Sequence, residues 1–165
     1  MKLSVKASRD ASFNPDALTD RVPRMAMVLG AAGALPFLAL SIVSPFIDAD
    51  LREQTTVALA AYGAVILSFL GGIHWGLAIN GIPSRSEEGR LFRRLGCSVV
   101  PALIGWIAFL MPPTFSLSIL AVAFIAVLYF DVTASRKGEA PDWYPRLRVP
   151  LTIIVVLSLT TGVFV

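Results

Sequence analysis

Five long apolar runs dominate this chain: residues 25–47, 55–82, 95–111, 114–130 and 149–165. Each has at least the roughly 17 residues that an α-helix needs to cross a bilayer. In lipid, backbone amides must find partners within their own segment, so such runs fold as spanning helices. Charged side chains make up 15% of the chain, against about a quarter in soluble domains, and all of them lie outside the five runs. These features predict an all-α integral membrane protein: a five-helix transmembrane bundle forming one membrane domain over residues 25–165, preceded by a polar tail over residues 1–24.

The basic residues predict its orientation. The tail carries Lys2, Lys6, Arg9, Arg21 and Arg24; the second loop Arg85, Arg90, Arg93 and Arg94; the fourth Arg136, Lys137, Arg146 and Arg148. Five spans place all of these on one side and leave Arg52 alone on the other. Bases concentrate on the cytoplasmic side, so the N-terminus is expected inside and the C-terminus outside. The same bias explains the net charge of +3 without nucleic acid as a partner. The tail is polar and mixes acids with bases before the first run, so that run is expected to be an uncleaved anchor. Pro36 and Pro101 should kink their helices. Pro112-Pro113 should make a stiff hairpin, and Pro150 is expected in the first turn of the last span.

The second run contains "YGAVILSFLGGIHWGLAI" over residues 62–79, with the only histidine of the chain. At about 100° per residue, Ala61, Ala64, Ser68, Gly72 and Gly76 fall on one stripe of small residues. Helices in lipid associate through close backbone approach over such residues. The stripe is therefore expected to pack a helix of this chain or of a second copy. Trp75 points near it, whereas His74 lies well round the helix. An ionisable residue at membrane depth is a functional candidate. His74 has no second histidine, and Cys97, expected as a small buried hydrophobe, is the only thiol. No acid falls inside any of the five runs, so His74 reads as a lone polar group. No metal and no cofactor is expected.

Asp131 closes the fourth run. A carboxylate at a helix C-terminus opposes the helix dipole, and Arg146 and Arg148 are the cations expected to answer it. Trp143 and Tyr144 suit the headgroup layer, where amphipathic rings keep one edge wet. The bases of this rim are expected to meet anionic lipid headgroups.

The stretches over residues 61–79, "AYGAVILSFLGGIHWGLAI", and 142–152, "DWYPRLRVPLT", together with "LGAAGALPFLAL" over 29–40, resemble the domain-of-unknown-function 3429 family. That family includes bacterial inner-membrane proteins and the eukaryotic transmembrane-protein-69 group. The resemblance implies a small multi-pass protein of the bacterial inner membrane and brings no catalytic residues with it. The residues themselves contain no clustered metal site or nucleophile–base pair, so no enzymatic activity is assigned. Two functions are left open: a structural or accessory component of a membrane complex, bound to a membrane protein or to a second copy, and a small carrier or small-molecule or lipid binder using the His74 region.

Overall fold

A computed structural model describes residues 21–80 and 88–164. Most of the tail, together with Arg85, lies outside the described residues, and nothing is described of the Arg90 side chain. Five helices account for nearly all the rest: α1 (Arg24–Val43), α2 (Ala49–Asn80), α3 (Glu88–Phe109), α4 (Pro113–Arg136) and α5 (Tyr144–Phe164). All five are long and apolar enough to cross a membrane. The protein is a five-helix transmembrane bundle.

Successive helices run up and down, as their cross-contacts show. A Cβ at Gly71 of α2 would meet the Ser98 carbonyl of α3, and one at Gly105 of α3 would meet Ala64 of α2, so these two helices are antiparallel. Gly30 lies against Leu147 and Leu151, so α1 and α5 run in the same direction. One end of the bundle thus gathers Arg24, Arg93, Arg94, Arg136, Lys137, Arg146 and Arg148; it is called the basic end below.

The core is Phe37, Leu59, Leu67, Leu117, Leu120, Phe124 and Leu159, each almost inaccessible. Outside it, Val65, Phe69, Trp106, Val122 and Leu157 are exposed. This distribution suits a molecule whose solvent is hydrocarbon. Gly63 and Gly162 let α5 and α4 come close to α2, since a Cβ at Gly162 would lie 2.8 Å from Leu117 and 3.0 Å from Leu59. Pro36 leaves the Ala32 carbonyl without its helical donor, and next to it the Tyr62 hydroxyl donates to the Gly33 carbonyl at 3.0 Å.

Helix α4 continues past its apolar run, whereas α1 stops at Val43, short of its own. A short 3-10 turn, Ser44–Phe46, separates α1 from α2. Arg52 donates to the carbonyls of Ser44 (3.3 Å) and Ile47 (3.2 Å) across this break. This base, at the far end of the bundle, therefore has a local structural job. At the basic end, Gly138 takes φ +71°. The Gly138 amide donates to the Ser135 carbonyl and the Glu139 amide to the Ala134 carbonyl, both at 2.9 Å. This pattern is the Schellman close of α4, which needs a left-handed residue.

The turn sends the chain straight into α5 at Tyr144, earlier than the apolar pattern predicts. Pro145 occupies the first turn, and Pro150, expected there, lies inside the helix. The donor it lacks is one that membrane helices re-supply from neighbouring groups.

Candidate functional site

The expectation that His74 stands alone is overturned. Because α4 continues to Arg136, Asp131 is inside the helix rather than at its end, and it faces inward with no exposure at all. Its Oδ2 accepts from Arg148 Nε at 2.7 Å. Its Oδ1 lies 2.9 Å from His74 Nε2, a close electrostatic contact rather than an aligned hydrogen bond. One buried carboxylate thus joins α2, α4 and α5. The expectation that Arg148 would answer Asp131 agrees with this placement. Arg146, its neighbour two residues away, points to the exposed side.

Tyr144 also departs from expectation. It is buried with Ala134 and Ala140, against Ile73 and Leu77, and its hydroxyl lies near Asp131 and Arg148 without a hydrogen-bond partner among the described residues. The reason is the turn at Gly138, which starts α5 early and swings its first residue over the carboxylate. Trp143 remains at the rim with its ring edge-on to Tyr144, centroids 6.1 Å apart.

The small-residue stripe divides. Ala64 meets Gly105, and Ser68 satisfies its own hydroxyl on the Ala64 carbonyl at 2.8 Å. The closest backbone approach falls at Gly71, where a Cβ would lie 2.5 Å from the Ser98 carbonyl. Nothing among the described residues comes within 4 Å of a Cβ at Gly72 or Gly76, and Trp75 is exposed beside them. Ala64, Gly71 and the buried Ala78 recur every seven residues, the spacing that keeps one line of a helix against a long partner.

Two cavities approach the carboxylate's partners. His74 lines one of about 150 Å³ at the basic end, with Cys97, Ser98, Arg94, Lys137 and Glu139. Cys97 is exposed there, contrary to the expected burial. At this cavity Arg94 pairs with Glu139 at 3.1 Å. Arg148 lines the other, of about 250 Å³, with Thr152. Thr152 drew no notice in the sequence, although its place four residues beyond Arg148 puts both on one helix face.

An ionised group in a low-dielectric interior needs a partner and hydrogen bonds. Asp131 has a cation on one oxygen and an imidazole on the other, so it can hold two side chains in fixed positions. Among the described residues, Arg148 Nη2 and Thr152 Oγ1 have no partner. The centre therefore has hydrogen-bonding capacity left over for something outside it.

Comparison with known proteins agrees with a membrane protein. The chain is 32% identical over 161 residues to transmembrane protein 69 of Xenopus tropicalis, covering 96% of this chain and 57% of that protein. It is 26% identical over 136 residues to transmembrane protein 69 of Mus musculus, covering 82% and 54% respectively. The chain thus spans just over half the length of the curated relatives it matches. No solved structure matches it. The model of the family described as "Protein of unknown function (DUF3429)" matches residues 22–164, and the chain belongs to that family.

Proposed function

We propose that this multi-pass membrane protein binds a small anion, and carries it, through the cavity that His74 lines. The observation that carries the reading is the placement of His74 between the buried Asp131 carboxylate and that cavity. A buried ion pair adds little net stability over apolar packing, so stability alone gives little reason for a bundle to contain one. The cavity wall combines His74, Arg94 and Lys137 with one acid, Glu139, a balance that favours an anionic solute or headgroup. In this reading Asp131 fixes His74 and Arg148, Tyr144 covers the carboxylate, and Trp143, Arg146 and the neighbouring bases meet anionic lipid. In this reading the basic end faces the cytoplasm, which the positive-inside bias supports, and the membrane is a bacterial inner membrane.

Proteoliposomes of the purified full chain test this with acetate and inorganic phosphate as probes. Flux of at least one is expected, reduced about tenfold or more by His74→Gln. No flux or binding of either probe, or an unchanged His74→Gln protein, would remove the proposal.

A second reading, an accessory component of a membrane complex, is favoured by one separate observation. Gly72 and Gly76 form an open small-residue face on α2, suited to close approach by another helix. Crosslinking in mild detergent should then capture a stoichiometric partner or a second copy through this face. Recovery of uncrosslinked monomer alone would count against it.

A further inference from the structure

The cavity lined by Arg148 is a slot between α1 and α5. On α5 its wall is Arg148, Leu151, Thr152 and Val155, one stripe at helical spacing that extends about 10 Å along the axis. The facing wall on α1 includes Gly33 and Phe37, and Phe69 of α2 stands at the side. Because α1 and α5 run in the same direction, the slot lies parallel to the helices and hence to the acyl chains of a surrounding bilayer.

Its polarity is confined to one end. Arg148 Nη2 and Thr152 Oγ1 are both without partners among the described residues, in side chains of residues 8% and 3% exposed. Beyond Thr152 the named walls are apolar. Asp131 already meets the Arg148 charge at 2.7 Å, so a second carboxylate here would add like charge in a low-dielectric site. An uncharged acceptor oxygen suits the two donors better. Arg148 lies about one turn inside the start of α5, where headgroups give way to hydrocarbon.

We infer that the slot holds an acyl chain of a diacyl membrane lipid, its ester carbonyl accepting from Arg148 Nη2 and Thr152 Oγ1. The chain runs past Leu151 and Val155 toward Phe37. This site does not include His74, so it stands or falls independently of the anion reading.

Native mass spectrometry of the delipidated full chain, titrated with dipalmitoyl phosphatidylethanolamine and with its diether analogue, tests the assignment. The diether keeps both chains and the headgroup but lacks the carbonyls. The diester is expected to bind about three- to tenfold more tightly. Thr152→Val should shrink that difference, and Gly33→Leu, whose Cβ meets nothing within 4 Å, should fill the slot and weaken both lipids about tenfold or more. Equal binding of diester and diether to the unaltered chain would overturn the proposal, as would undiminished binding to Gly33→Leu. Displacement of the diester by an equal concentration of palmitate would overturn the ester assignment in favour of a free carboxylate. If Gly33→Leu fails to fold, the diester–diether comparison in Thr152→Val decides.

Discussion

The two ends of the bundle solve the same packing problem with different chemistry. Away from the basic end, Leu59, Leu117, Leu120, Leu159 and Phe37 interlock over Gly63 and Gly162. Near the basic end, the same helices are joined by His74, Asp131 and Arg148, with cavities on either side. The first arrangement packs apolar side chains over glycines, with no Asp, Glu, His, Lys or Arg among its described core residues. The second retains a buried charge beside its cavities. In a small bundle that contrast separates the part that holds the fold from the part with spare binding capacity.

The sharpest way to break the comparison is to remove the charge. Asp131→Leu leaves Arg148 buried and unpaired and should cost about 3–5 kcal/mol, read from unfolding in mixed detergent. Replacing Arg148 with Met in the same chain should restore most of that loss, because an ion pair and an apolar pair are often comparable in stability. At the other end, Leu120→Ala should cost about 2–5 kcal/mol through its cavity, and no single polar replacement nearby should rescue it. If Asp131→Leu is neutral alone, or is not rescued, the two ends do not differ as described.

A smaller effect separates neighbouring glycines. Gly71→Val meets the Ser98 backbone carbonyl, which cannot turn aside, and should destabilise by about 1–3 kcal/mol. Gly72→Val, on the open face, should change stability by no more than about 0.5 kcal/mol in the same assay. Equal effects would mean that α3 does not approach α2 along the line through Ala64 and Gly71. A further loss is expected at the turn that brings α5 back to Asp131. Gly138→Ala must adopt φ +71° and should cost about 1–2 kcal/mol; a neutral result would place less weight on that cap.

Much of the architecture was legible in the residues, because bilayer thickness makes a spanning helix conspicuous in any sequence. The site was less so, for three physical reasons. Asp131 follows an apolar run and reads as its end, whereas the Gly138 close lets α4 continue past it. Tyr144 looks like a rim residue until the same turn folds it over the carboxylate. On α2, the GxxxG pair at Gly72 and Gly76 draws the eye, yet the line that α3 follows repeats every seven residues. Long-range pairing such as His74 with Asp131 leaves no local signal, since neither hydropathy nor helical period reports which helices become neighbours. The pairing of Asp131 with Arg148 was easier to anticipate, because a buried acid near a base across a short loop has few other partners.

The central claim is that His74 and Asp131 belong to one coupled centre inside the membrane. A double-mutant cycle of His74→Gln and Asp131→Asn, with unfolding free energies measured in the same lipid–detergent mixture, tests it most directly. A coupled pair predicts a non-additive term of about 1 kcal/mol or more. Additivity within about 0.5 kcal/mol would contradict it and return His74 to the status of a solitary polar residue.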